Sequence, residues 1–173
     1  MKKVAVFGAP GAGKSTLSRK LAAMTQLPLY ALDKLCFEDG GAAVPAEVYA
    51  KRHADIMASD AWLVEGYGSA DTLWPRLAAA DTLVYIDLPF VLHLWWVTKR
   101  FFGGWFAAPE GWPERPPMLR STLSGYRILW LCSKHLTPKY RAYVAQVSGK
   151  SVFHLRSRAD IARFLEQIEY DAT

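Results

Sequence analysis

A chain of 173 residues with 51% hydrophobic and 21% charged residues has the size and composition of one compact domain, which excludes a disordered chain. Its longest apolar run, residues 88–97, contains His93 and reaches about half the roughly 20 residues of a membrane-spanning helix, so no transmembrane segment is expected. The net charge of +5 is uneven: residues 99–158 carry eleven Lys/Arg against two Asp/Glu, residues 1–98 nine against ten and residues 159–173 one against four, so one basic segment suits a polyanion, whether nucleotide, nucleic acid or anionic lipid.

In chain order, residues 4–7 read as a buried strand, with further strands expected at 27–30, 62–64, 82–86 and 151–155. Between them, residues 15–24 place Leu17, Leu21 and Met24 at helical spacing, with Arg19 and Lys20 on other faces. Residues 45–58 open on a proline suited to a first helical turn. A helix is expected from Leu88 to about Lys99, broken by Gly103 and Gly104 and then by Pro109, Pro113, Pro116 and Pro117. Helix resumes near Ser121 and runs past Lys134, and Pro138 kinks or ends it before a helical stretch at 139–147. After the last strand, Ile161, Phe164, Leu165 and Ile168 again keep helical spacing. Strands and helices that alternate, with nearly continuous apolar strands, predict an α/β fold whose parallel sheet is covered on both faces. Residues 1–13 lack a secretory signal core and Cys36 and Cys132 make no motif, which points to a reduced, cytoplasmic protein.

Directly after the first strand stands GAPGAGKS: Gly8, Ala9, Pro10, Gly11, Ala12, Gly13, Lys14 and Ser15, with Thr16 next in the helix. It matches the phosphate-binding loop G-x-x-x-x-G-K-S. Glycines let consecutive backbone N–H groups turn inward around phosphates, and the following helix aims its positive dipole end at the same point. Lys14 would reach the β- and γ-phosphates, and the Ser15 hydroxyl would ligate Mg²⁺. The bland alternative is a glycine-rich turn that binds nothing.

Ligands of open parallel sheets lie beyond the carboxyl ends of the strands, where three carboxylates stand. Asp33, in ALDKL, is placed to orient or deprotonate an acceptor hydroxyl, or to hold a water on Mg²⁺, though it could equally cap a helix at 34–37. Glu65, in WLVEGYGS, stands where an acid can organise the metal shell, with Gly66 and Gly68 leaving room for a substrate; the alternative is a loop carboxylate paired with a nearby cation. Asp87, in YIDLP, reads rather as a strand end and helix cap. His53, His93, His135 and His154 show no ligand spacing and read as surface or core residues. Among the aromatics of 93–120, Trp95 is expected to pack inward.

Together these residues resemble the nucleoside-monophosphate-kinase-like branch of phosphate-loop enzymes, and within it the adenylate-kinase-related family often labelled DNA topology modulation protein. The likeness runs through GAPGAGKSTLSRKLA, LYALDKL, WLVEGYGS, DTLVYIDLP, LWWVTKR, EGWPER and HLRSRADIARFL. It implies a P-loop NTPase fold, a five-stranded parallel sheet in the order 2-3-1-4-5, forming a single domain over residues 1–173 with a lid at about 100–121. It implies too that Arg100, Arg115 and Arg120 close on phosphates from the lid, and that Ser157 and Arg158 touch the base. Two departures, Trp96 and Phe90 where the family carries cations, leave fewer charges for acceptor phosphates. The lid lacks the four cysteines of a zinc-bearing lid.

The expectation is a protein that binds ATP with Mg²⁺ and transfers the γ-phosphoryl group to a small nucleotide-like or hydroxylated acceptor. Lys14, Asp33, Arg100, Arg115 and Arg120 would act on the reacting groups. Residues 8–16 with Arg158 would hold the nucleotide, and Ser15 with Glu65 the metal. The alternatives are a nucleotide-regulated nucleic-acid-binding protein that moves its basic lid, and a simple ATPase.

Overall fold

The computed structural model describes residues 1–38, 42–104 and 118–171, without the side chains of residues 97, 100–104 and 118–124. Five strands, β1 (Lys3–Gly8), β2 (Leu29–Ala31), β3 (Trp62–Glu65), β4 (Thr82–Ile86) and β5 (Ser151–Leu155), form one sheet in the order β2-β3-β1-β4-β5. Every pairing is parallel. This is the order expected, and β4 and β5 have the expected bounds.

The strands are apolar at successive positions because both faces of the sheet are covered. Val4, Val6, Leu63, Val84 and Ile86 pack on Leu17 and Leu21 of α1 (Lys14–Thr25) and on Phe164 and Ile168 of α8 (Arg158–Asp171). Their neighbours Ala5, Phe7, Val64, Leu83 and Tyr85 face the other way. That second layer meets Ile56 of α3 (Ala46–Ala58), Leu73 and Leu77 of α4 (Ala70–Ala79) and Tyr140 of α7 (Thr137–Gln146). The alternation is the two-residue period of a strand, read out on two helical layers.

Three elements depart from expectation. The helix α4 was not anticipated, since Pro75 lies inside it and its apolar stripe is short. The helix α5 (Phe90–Gly104) continues through Gly103 and Gly104, which form its last turn, where a glycine does less harm than in mid-helix. Beyond, α6 (Met118–Leu131) passes into a π-helical stretch (Cys132–Leu136) and then α7, with Pro138 in the first turn of α7, where no intrahelical N–H is needed.

The parallel register pairs Ala31 with Glu65, Val6 with Glu65, Gly8 with Ile86 and Ile86 with Leu155. The segments that follow β1 to β5 therefore emerge along one edge, which brings the loop 8–15, Asp33, Glu65, Asp87 and Arg156 to the same rim.

Gly8 fixes the first of these segments. Its φ is +146°, and a Cβ there would lie 2.3 Å from the carbonyl oxygen of Ile86 on β4. Replacing Gly8 with alanine should therefore destabilise the chain by at least about 2 kcal/mol, read as a fall in thermal midpoint, whereas Ala9→Gly should leave it nearly unchanged.

Candidate functional site

The loop after β1 turns on glycines at positive φ, Gly11 (+72°) and Gly13 (+78°), conformations that side-chain-bearing residues rarely take. Gly13 is the N-cap of α1 and, having no side chain, makes no side-chain capping bond. The first turn of α1 holds no acid, so its N–H groups and positive dipole end present a surface suited to an anion. A Cβ on Gly13 would meet nothing within 4 Å, so the cradle is open at that point. Lys14 is half-buried and its Nζ donates to the Ala9 carbonyl at 3.0 Å, which folds the ammonium back over the loop. Ser15 and Thr16 are exposed in the first turn. Such a donor set fits a polyphosphate.

Glu65 ends β3 beside β1 and is 7% exposed. No hydrogen bond or ion pair reaches its carboxylate from another described residue, so the alternative of a pairing with a nearby cation is not realised among them. Among the described residues no group of three or more His, Cys, Asp or Glu is disposed to cage a metal. Magnesium asks for less: one or two protein oxygens, with phosphate oxygens and waters completing the shell. Ser15 and Glu65 fit that requirement.

Asp33 lies in α2 (Leu32–Leu35), whose N-cap is Ala31, so the capping role is not the one it plays. Its Oδ1 accepts instead from the backbone N–H groups of Tyr67 (3.3 Å) and Gly68 (3.4 Å) in the loop after β3. Gly66 (φ +105°) and Gly68 (φ +65°) are obligatory, for a Cβ at 66 would lie 3.0 Å from Asp33 Oδ1 and one at 68 would lie 2.1 Å from Tyr49 Oη. Asp33 is exposed and stands at the rim on the β2–β3 side of the phosphate-binding loop.

On the other side, Asp87 proves to be no helix cap. Arg141 of α7 grips it with two bonds, Nε to Oδ2 at 2.8 Å and Nη2 to Oδ1 at 2.9 Å, and His154 Nε2 meets Oδ2 at 2.9 Å. Burial alone would raise its pKa; the bonds from Arg141 and His154, and their charge, outweigh burial and hold it below the ordinary carboxylate value. This trio borders a cavity of about 750 Å³ that runs from Ala9 past Leu88, Phe90 and His93 to Ser133 and Arg156. His93 forms its inner wall. It is 3% exposed, with Nδ1 3.2 Å from the Pro10 carbonyl and Nε2 3.0 Å from the Leu88 carbonyl, and so ties α5 to the phosphate-binding loop. Burial, reinforced by the Lys14 ammonium, pushes its pKa down despite both carbonyls. His93, Arg141 and His154 carry no motif, and only their meeting in space reveals them.

Of the remaining expected residues, Arg115 lies outside the described residues, as does most of the expected lid at 100–121. Arg100 and Arg120 fall on the backbones of α5 and α6, where side chains are not described. Arg158 sits over the Trp96 ring, 5.7 Å from its centre, and thereby joins α8 to α5. Ser157 Oγ accepts from the Asp160 N–H (3.0 Å) while Asp160 accepts from the Arg156 N–H (2.9 Å), a capping box that commits the Ser157 side chain to the start of α8. Trp95, expected inside, is 61% exposed. The reason is that α5 runs beyond the sheet and packs on α6, tied by a Thr98–Tyr126 hydroxyl bond of 2.8 Å, so only one stripe of it is covered.

No protein-family model matches the chain, and no curated protein matches it. Among solved structures it is similar to a shikimate kinase from Acinetobacter baumannii in complex with shikimate, with a TM-score of 0.55 and 16% identity over 99% of this chain and 94% of that one. It is similar also to an unliganded sugar kinase from Janibacter sp. HTCC2649, with a TM-score of 0.50 and 16% identity over 99% and 92% of the two chains. Likeness over nearly the whole of each chain establishes the P-loop kinase fold; at this identity it establishes the fold alone.

Two buried histidines and Asp87 have an acid signature. His93 and, through burial and Arg76, His53 hold lowered pKa values, so the unfolded chain takes up protons that the folded chain refuses. Stability should start to fall below about pH 6.5, by up to about 1.4 kcal/mol per pH unit for each proton. The contribution of Asp87, whose pKa is lowered, is present above about pH 4 and lost below it. Thermal melts from pH 7.5 to 3 should show both declines, the first shallower in His93→Gln and the second in Asp87→Asn.

Proposed function

We propose that this P-loop kinase fold belongs to an ATP-dependent phosphotransferase acting on a small hydroxylated acceptor, with the nucleoside-monophosphate-kinase-like enzymes as its wider kin. One observation supports it above the others: the loop 8–15 and the exposed Asp33 stand at the same sheet edge, one suited to phosphates and the other to a hydroxyl. A protein that only held a nucleotide would need the first and have no use for the second.

In this reading the N–H groups of residues 8–16 bind the β- and γ-phosphates, and Lys14 swings from the Ala9 carbonyl to neutralise charge that develops between them. Ser15 and Glu65 would hold the metal, which when bound would neutralise negative charge on the phosphates. Asp33 accepts the acceptor's hydroxyl proton as that oxygen bonds to the γ-phosphorus and ADP departs with the bridging bond. Arg100, Arg115 and Arg120 close on the phosphates from a lid at 100–121 and exclude water. The cavity beside Ala9, His93 and Arg156 takes the nucleoside, and Arg158, two residues beyond Arg156, is a further candidate for touching the base. A cytoplasmic location, where MgATP is plentiful, suits the chemistry. Among the described residues no helix is long and apolar enough to cross a membrane.

A hydroxylated acceptor is favoured over a nucleoside monophosphate by charge. Phe90 and Trp96 stand where the resembled family carries cations, which leaves fewer charges to hold the phosphate of a phosphorylated acceptor. The similar structures named above, a shikimate kinase and a sugar kinase, are in accord.

Incubated with ATP, Mg²⁺ and a pool of small polyols, sugars, hydroxy acids and nucleosides, the protein should yield a product heavier by one phosphoryl group, read by mass spectrometry. Lys14→Ala should cut its formation by about 100-fold or more. An oligonucleotide that bound in an ATP-dependent, salt-sensitive way, with no product from any pool, would overturn the kinase reading.

A further inference from the structure

Arg76, on α4, is among the most deeply buried of the described side chains, at 2% exposure, and no carboxylate of a described residue is in contact with it. Its Nη2 donates to the carbonyls of Gly66 (3.1 Å) and Tyr67 (3.3 Å), while its Nη1 has no hydrogen-bond partner among the described residues. Burial pushes its pKa down, partly opposed by Tyr49, Tyr140 and Asp33. A cation in such a place is costly and does nothing for packing that an apolar chain of the same size would not do.

The two carbonyls are informative when taken with the other ends of the same peptide groups. The Gly66 carbonyl belongs to the peptide whose N–H is that of Tyr67, and the Tyr67 carbonyl to the peptide whose N–H is that of Gly68. Those are the two N–H groups that Asp33 Oδ1 accepts from. Because C=O and N–H point oppositely across a trans peptide, the guanidinium on one side and the carboxylate on the other clamp the same two peptide planes between them. Each polarises the groups the other uses. With Oδ1 so engaged, the second oxygen of the exposed Asp33 bonds to no other described residue and is the one left for an acceptor.

We infer that Arg76 is a positioning residue: acting through the peptides 66–67 and 67–68, it fixes the orientation of the Asp33 carboxylate toward the acceptor hydroxyl. The inference rests on the role proposed for Asp33. It assigns the buried cation a task in the reaction that it performs without touching either substrate. It also explains why the loop is Gly-Tyr-Gly: side chains at 66 and 68 would push Asp33 Oδ1 and Tyr49 Oη out of the arrangement.

The test pairs kinetics with amide exchange on the full chain, using Arg76→Gln, Arg76→Lys, Asp33→Asn and the double variants. With the acceptor from the product screen, Arg76→Gln should lower kcat/KM for that acceptor about tenfold or more, with Arg76→Lys recovering part of the loss. In the Asp33→Asn background the same change should cost less than about twofold, because its path of action is already cut. By NMR, the Tyr67 and Gly68 amides should exchange about tenfold faster in both Arg76→Gln and Asp33→Asn, with those of Leu63 and Val64 unmoved as the internal control. Equal losses in both backgrounds, or unchanged exchange at the two amides, would overturn the inference. Should Arg76→Gln not fold, Arg76→Lys carries the same comparison. If Asp33→Asn turns over the acceptor normally, it is the role of Asp33 that fails, and the exchange data still decide whether Arg76 holds the loop.

Discussion

At the end of β1 the backbone must turn sharply while lying almost against the carbonyl of Ile86 on the neighbouring strand, and only a residue without a side chain can stand there. From that point the chain must reverse into α1 with its N–H groups converging, which Gly11 and Gly13 make possible. The suitability of the rim for an anion is thus a consequence of backbone geometry rather than of a cluster of cations. It survives only while β1 and β4 keep their register, which in turn depends on an apolar sandwich built from both faces of the sheet.

Around this turn, polar contacts organise the rim into two wings. On the β4–β5 side, His93 reaches the Pro10 carbonyl and Asp87 is saturated by Arg141 and His154, so the carboxylate nearest the cavity is already neutralised and leaves the wall mostly apolar. On the β2–β3 side, Asp33 and Glu65 remain as carboxylates without a cation in contact among the described residues. The two wings therefore differ in electrostatic character although their sequences look alike. A negative wing beside a phosphate-binding loop suits a metal and a neutral hydroxyl, while the more apolar cavity suits a nucleoside body. The π-helical stretch between α6 and α7 lies on the cavity side, with Ser133 among the lining residues.

Much of the architecture could be read from the chain, and the reason is periodicity. Five apolar strands buried on both faces announce a covered parallel sheet, and GAPGAGKS, placed between a strand and a helix, announces its own geometry because each of its residue types answers a backbone or charge requirement. What escaped was fixed by contacts distant in sequence. Asp87 looks like a strand end until Arg141, 54 residues away, arrives beside it. His93 looks like one polar residue in an apolar run until it touches a loop 83 residues earlier. Arg76 lay in a helix that Pro75 concealed, and its partners are main-chain oxygens, which leave no trace in a sequence. Trp95 misled for the opposite reason, since helical spacing predicts a face but not whether any neighbour covers it. The cap at Ser157 and Asp160 is legible in the sequence as S-x-x-D at a helix start, and it accounts for the Ser157 side chain.

The proposed chemistry depends on main-chain donors and Lys14 forming a receptacle for a magnesium-bound triphosphate. Isothermal titration of folded protein with ATP in the presence of Mg²⁺ addresses it without any acceptor. Saturable one-site binding, with a Kd between about 1 μM and 1 mM and weakened when the metal is chelated, is the predicted result. A flat thermogram across that range, from protein whose melt shows it fully folded, would contradict it.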